Sequence, residues 1–97
     1  MLNNEEFWEK SQRLAEILNE VSVDKDKNIS TKRKNMVGNI LETVNKMQFV
    51  AAMKDIGPFV SATNKEELKG IVRDICMMPV DNVPYFLALL RFQYQCL

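Results

Sequence analysis

VPYFLALLRFQYQ, residues 83–95, is the stretch that says most about the fold. A helix advances by about 100° per residue, and at that pitch the apolar and aromatic side chains here cover an arc of roughly 220°. A helix that packs on a single core needs only a little over about 100°. Pro84 is tolerated in a first helical turn, and Asp81 or Asn82 can cap it. The sequence therefore predicts a last helix with more apolar surface than one core requires.

Two arrangements account for this wide apolar arc. In the first, the last helix is central and the other helices surround it. In the second, one flank packs inward and the other forms an interface with a second subunit or a partner. Aromatic residues and arginine are enriched in the buried centres of interfaces. The predicted contact residues are therefore Tyr85, Leu89, Arg91 and Phe92.

Helical spacing of apolar residues also predicts the earlier elements. Apolar side chains recur every three or four positions over residues 4–21, over 31–56 and over 64–78. The apolar stripe over residues 31–56 moves to a different side of the helix near residues 47–48, which predicts a kink or a short break there. No segment alternates with period two, and no hairpin dipeptide such as Asn-Gly occurs. We expect an all-α fold, a compact bundle of four to five helices in one domain, residues 1–97.

The connection after the first helix is predicted from its charges. Residues 22–29 interrupt the apolar pattern, and residues 24–27 read Asp-Lys-Asp-Lys with no apolar side chain among them. We interpret 22–29 as a solvated connection between helices. Ser30 or Thr31 can then start the next helix, because a hydroxyl side chain caps the free N–H groups of a first turn.

Several single residues carry expectations about packing. Thr63 and Glu66 have the spacing of a capping box, which predicts a helix start there. Gly38 lies within a helical run at a cost of about 1 kcal/mol relative to Ala, so it could mark a point where another helix passes closely. Trp8 lies beside the first stripe and is expected to share its burial, whereas an exposed Trp would mark a contact surface. Cys76 is expected to pack as a small apolar side chain.

The residues that most catalytic sites require are missing from the sequence. Histidine, the commonest general base and metal ligand, is absent from the 97 residues. The cysteines lack the CxxC spacing of zinc sites, and the scattered glycines form no phosphate-binding loop. Glu5, Glu6 and Glu9 resemble the first half of the acidic motif of all-helical nucleotide pyrophosphohydrolases, but the second half is absent. No catalytic residue, cofactor or metal site is predicted, and we expect a protein that is not an enzyme.

Charge is unevenly distributed along the chain. Thirteen basic residues balance thirteen acidic ones, yet residues 1–23 carry a net charge of −3 and residues 24–35 a net charge of +3. The cluster Lys32, Arg33 and Lys34 could hold a phosphate backbone. A sequence pI near 6.3 argues against a dedicated nucleic-acid binder. Nucleic-acid contact through these residues is therefore the weaker hypothesis.

These observations favour a small interaction module. We expect it to act through the last helix and Trp8, as a homo-oligomer or as a small subunit, adaptor or inhibitor within a larger assembly. The alternative is a subunit of a nucleoprotein complex that contacts the nucleic-acid backbone through the basic segment 25–34. No apolar run approaches the roughly 20 residues that span a bilayer, and the first ten residues are acidic. A cytoplasmic location without a membrane partner is therefore expected.

Overall fold

The structure, a computed structural model, describes residues 3–97, so residues 1 and 2 of the predicted domain lie outside it. The described residues form five α-helices, two 3-10 turns and no β-strand, which confirms the expected all-α bundle. Their radius of gyration is 12.7 Å, close to the value of roughly 12.5 Å for a compact domain of this length. The helices are α1 (Asn4–Ser22), α2 (Lys27–Leu41), α3 (Lys46–Ile56), α4 (Ala62–Met77) and α5 (Val83–Gln95).

α1 is the central helix, because it packs against α2, α4 and α5. Asn3 caps its start by accepting a hydrogen bond from the Glu6 N–H at 2.8 Å, and the acidic first turn complements the helix dipole. The arrangement in which the last helix is central is therefore wrong, since α5 packs on one side of α1 and leaves large side chains exposed. The fully buried apolar side chains of α1 are Leu14, Ala15, Ile17 and Leu18.

The most extensive helix contact joins α1 to α5. The Phe7 ring packs edge-to-face on the Phe86 ring, with 6.0 Å between the centroids. Ser11 and Ala15 follow Phe7 at intervals of four residues, so they lie on the same side of α1, and both are completely buried. Their small side chains allow a close approach of the two helices. The Ser11 hydroxyl donates to the Trp8 carbonyl oxygen at 2.9 Å, which satisfies the buried polar group.

α2 and α3 are separate helices, and the break lies at residues 42–45 instead of the predicted 47–48. The Thr43 hydroxyl donates to the carbonyl oxygen three residues earlier at 2.6 Å, just after α2 ends. Asn45 then caps α3 by accepting from the Gln48 N–H at 2.9 Å. The Gln48 side chain accepts in turn from the backbone N–H just before Asn45, at 3.1 Å. This reciprocal pair is a helix-start signal that apolar periodicity does not register.

α2 begins at Lys27, so the predicted connection 22–29 is wrong and only residues 23–26 separate α1 from α2. The Asp26 carboxylate accepts from the backbone N–H groups two and three residues later, at 2.8 and 3.3 Å. One Asp of the Asp-Lys-Asp-Lys run is therefore a helix cap. Ser30 lies inside the helix, and the basic cluster at 32–34 lies in its second turn.

α4 carries the clearest apolar stripe, and it is buried as its spacing predicts. Leu68, Ile71 and Ile75 are each at most 8% exposed, and Val72 is half-buried. The start of the helix differs from the prediction, because Ser61 is the N-cap residue and makes no side-chain capping bond. The predicted range 64–78 therefore becomes 62–77.

Two expectations about single residues are wrong. A Cβ atom added at Gly38 would meet nothing within 4 Å, so no neighbouring helix passes closely there. Cys76 is exposed, because it lies on the flank of α4 that faces away from the core. Both residues lie next to apolar stripes without belonging to them.

Polar side chains link α1 to α4. Lys10 pairs with Asp74 at 2.6 Å, and Arg13 pairs with Glu67 at 2.8 Å. Residue numbers rise along α1 as they fall along α4, so the two helices are antiparallel. The hydrogen bond that Arg13 Nε donates to the Glu67 carboxylate raises the pKa of Arg13 above its ordinary value. Because these pairs are partly exposed, each contributes at most about 1 kcal/mol to stability.

Asn64 is the buried member of this link, at 7% exposure. Its Oδ1 accepts from Arg13 Nη2 at 2.8 Å, and its Nδ2 donates to Glu20 Oε2 at 2.6 Å. Both ends of the amide are therefore bonded, as burial of a polar group requires. Asn64, in the first turn of α4, therefore joins α4 to α1 and does not cap its own helix.

The core stripe of α4 gives a first prediction. Ile75→Ala is expected to lower the free energy of unfolding by about 2–5 kcal/mol, because it leaves a cavity at a completely buried position. That loss is a large part of the roughly 5–15 kcal/mol that stabilises a typical small domain. Urea unfolding measures it, with the exposed Lys65→Ala as control. Equal midpoints for the two variants would contradict the packing described here.

The link between α1 and α4 gives a second prediction. Arg13→Ala is expected to cost about 1–3 kcal/mol, because the buried Oδ1 of Asn64 loses its donor. Lys69→Ala removes only the exposed pair with Glu66, at 3.5 Å, and should leave the urea midpoint nearly unchanged. If Arg13→Ala behaves like Lys69→Ala, the amide of Asn64 is not held as the structure shows.

Candidate protein-interaction surface on the last helix

α5 has a buried face and an exposed face. The outer face of α5 consists of Tyr85, Ala88, Leu89 and Phe92, which share one side of the helix because they are three, four and seven residues apart. Tyr85 is 74% exposed and Phe92 54%, whereas Leu89 is half-buried. One flank therefore packs inward and the other meets solvent. The buried face consists of Val83, Phe86, Leu87, Leu90 and Gln93.

The path of the chain between α4 and α5 fixes this orientation. Between the two helices the chain turns by 117°. α4 ends just before Pro79, which cannot continue a helix. A 3-10 turn follows over Val80–Asn82, and Pro84 lies in the first turn of α5. Val83, at 1% exposure, anchors the start of α5 in the core. With that end fixed, α5 lies along α1 and presents its outer face to solvent.

The outer face of α5 is uncharged. Arg91 is the only charged residue of the segment 83–97. Its Nη1 donates to the carbonyl oxygen of Leu41 at 3.2 Å, where α2 ends. A cation at a helix C-terminus satisfies a free carbonyl and complements the dipole. The side chain of Arg91 thus joins α5 to α2, and of the predicted contacts it is the one already engaged within the molecule.

Trp8 is 47% exposed, so the expectation that it is buried is wrong. Its chain neighbour Phe7 packs on Phe86, and Tyr85 precedes Phe86. Trp8 and Tyr85 therefore lie at the same end of the α1/α5 pair. Exposed aromatic side chains of this kind are enriched at the centres of interfaces.

Sequence reasoning missed a group of exposed apolar side chains where α3 begins and α4 ends. The Lys46 ammonium donates to the Cys76 carbonyl oxygen at 2.8 Å, which holds these two helix ends together. Met47 and Met77 are the chain neighbours of these two residues and are 83% and 77% exposed, and Val80, after the end of α4, is 73% exposed. The rotation of the apolar stripe near Met47 was the only signal of this group.

The predicted phosphate contacts do not form one surface. Arg33 pairs with Asp24 at 3.4 Å, and its guanidinium lies 4.9 Å from the centroid of the Phe59 ring. Lys32 and Lys34 are exposed, but a spacing of two residues separates them by roughly 160° around the helix. The three cations therefore point in different directions, and one of them is engaged within the molecule.

Six ionisable residues line a groove of about 410 Å³ between α1 and α4. Four of its charged groups already form the pairs Lys10–Asp74 and Arg13–Glu67. Within residues 3–97, no three side chains of His, Cys, Asp or Glu are grouped as metal ligands. The thiols of Cys76 and Cys96 are free and exposed. The remaining charged residues that line the groove are Glu9 and Arg73.

No protein-family model, curated protein or solved structure matches the chain. Over residues 3–97, none of the helices is by itself long and apolar enough to cross a bilayer. α4 and Val80–Gln95 meet that test only as a pair bent by 117°.

The basic cluster gives a third prediction. Arg33→Gln is expected to lower the free energy of unfolding by about 1 kcal/mol, because it removes the Phe59 contact and the pair with Asp24. Lys32→Gln and Lys34→Gln should each change it by less than about 0.5 kcal/mol, as is usual for exposed positions. Urea unfolding compares the three. Equal effects would mean that Arg33 is as free as its neighbours.

Proposed function

We propose that this protein is a small, non-enzymatic interaction module that associates through the outer face of α5. The observation that carries the proposal is the exposure of Tyr85 and Phe92 on an uncharged helix face. Large aromatic side chains in solvent lose the free energy that burial would provide, about 25 cal/mol for each Å² of apolar surface. Covering this face with another protein recovers that free energy.

A second copy of the chain is the first partner to test. In a two-fold dimer the same face meets itself, so a charged face would place like charges together. The outer face of α5 carries no charge and avoids that repulsion. Phe92 from one copy can then lie against Tyr85 of the other, since offset aromatic pairs add about 0.5–1.5 kcal/mol beyond area burial.

The area of this face sets the expected strength of association. The exposed parts of Tyr85 and Phe92 amount to roughly 250 Å², taking about 200 Å² for each aromatic side chain. A stable interface buries about 800 Å² on each partner. Further apolar area therefore has to contribute, and Trp8, at the same end of the α1/α5 pair as Tyr85, is 47% exposed. We expect a dimer that dissociates on dilution, or a larger partner that covers more of this side.

The fourth prediction concerns association. Phe92→Asp and Tyr85→Asp should each weaken it, because two copies then bring like charges together in an apolar contact. Sedimentation equilibrium from low micromolar to millimolar protein measures the mass. Thr63→Asp, an exposed change on α4 with the same charge, is the matched control and should associate like the unaltered protein.

Two results would contradict the proposal. One is a protein that stays monomeric over the whole range and also purifies from its native source without a partner. The other is an association that Phe92→Asp, Tyr85→Asp and Thr63→Asp leave equally strong. Circular dichroism of each variant shows whether the helices are retained, so that loss of association is not confused with loss of fold.

A further inference from the structure

A second apolar surface lies between α3 and α4. It is a groove of about 430 Å³, and the side chains that line it are Val50, Met53, Lys54, Leu68, Lys69 and Val72. Met53 and Leu68 are 6% and 8% exposed and form its floor. Val50 and Val72 are half-buried and form its sides. Apart from the two lysines, every lining side chain is apolar.

The groove exists because its two helices pack mainly on other partners. α3 packs chiefly against α2, and α4 packs chiefly against α1, so contact between α3 and α4 is limited. The turn Gly57–Phe59 joins them at one end. At the other end the Lys46 ammonium donates to the Cys76 carbonyl oxygen at 2.8 Å. The helices are thus held together at both ends and leave an apolar channel between residues 50–54 of α3 and residues 68–72 of α4.

Both charged side chains that line the groove are basic. Lys54 lies on the α3 side and Lys69 on the α4 side. Lys65 precedes Lys69 by one helical turn on the same side of α4. Lys54 and Lys65 form no ion pair with any residue in 3–97, and Lys69 pairs with Glu66 only across 3.5 Å at the surface. An exposed pair of this kind is weak and exchanges readily.

We propose that this groove binds an acidic amphipathic helix of a partner protein. In this complex, apolar side chains at helical spacing on the partner helix fill the channel. Carboxylates on either side of that apolar stripe contact Lys54 and Lys69. Laying a helix into an apolar groove between two helices is a recurrent mode of peptide recognition. A small apolar ligand fits less well, because pockets for such ligands enclose most of their surface, whereas this groove is open along its outer side.

The inference goes beyond the proposed function, because it concerns a different surface. α5 packs against α1 and α2, and in residues 3–97 it makes no extensive contact with α3 or α4. The groove and the outer face of α5 are therefore separate. Phe92→Asp should leave binding in the groove unchanged, so the failure of one proposal does not imply the failure of the other.

The test uses two labelled peptides and the whole protein. Each peptide has about 16 residues, since shorter helices are marginal in water, with Leu at every third or fourth position. One carries Glu at the flanking positions and the other carries Lys. Fluorescence anisotropy should show saturable binding of the acidic peptide at least about tenfold tighter than binding of the basic one.

Charge reversal of Lys54 and Lys69 provides the decisive comparison. Lys54→Glu combined with Lys69→Glu should weaken binding of the acidic peptide at least about tenfold and should strengthen binding of the basic peptide. The matched control combines Lys27→Glu with Lys34→Glu, which changes net charge equally on exposed positions of α2 and should have no comparable effect. Val72→Gln should weaken binding of the acidic peptide, because it reduces the apolar contact in the groove.

Several results would overturn the proposal. Equal binding of both peptides, binding of neither, or equal effects of the two charge reversals would each do so. Binding of laurate in place of the acidic peptide, lost on reversal of Lys54 and Lys69, would assign the groove to an anionic lipid. Self-association lost in that same variant but retained in Phe92→Asp would assign it to a second copy of this chain.

Discussion

The close contact between α1 and α5 is the constraint on which the rest of the bundle depends. Small buried side chains at Ser11 and Ala15 let α5 lie directly on α1, and the edge-to-face pair of Phe7 and Phe86 fixes its position along the helix. The opposite flank of α1 is held to α4 by polar contacts. With α1 covered from several sides, α5 lies at the edge of the bundle, where no other helix covers its outer face.

The small size of the chain also leaves apolar surface uncovered on the side of the molecule formed by α3 and α4. A chain of 97 residues buries only about 60–65% of the surface that its unfolded form exposes. α3, with 11 residues, is too short to cover α4 along its whole length. The exposed large apolar side chains include Tyr85 and Phe92 on α5 and Met47 at the start of α3, and an apolar channel remains between α3 and α4.

Sequence periodicity predicted which face of each helix is buried better than it predicted which neighbouring helices cover that face. The stripe through Leu68 and Ile75 was read correctly, because spacing alone determines one face of a helix. The helix starts at Asp26 and Asn45 were missed, because several nearby polar residues could have served as caps. The width of the apolar arc in α5 could not say whether other helices surround it. That depends on contacts between residues far apart in sequence, which no local pattern contains.

The separation of α5 from the channel between α3 and α4 has a consequence for valency. If two copies pair through α5 as proposed, the pair carries two such channels on one particle. A partner with two acidic helices, or an array of them, then binds its second site at an effective concentration set by the distance between the channels. Weak single contacts become strong collective ones without any additional residue. A protein of this size can in this way act as a bivalent connector, and its avidity then depends on whether α5 is paired.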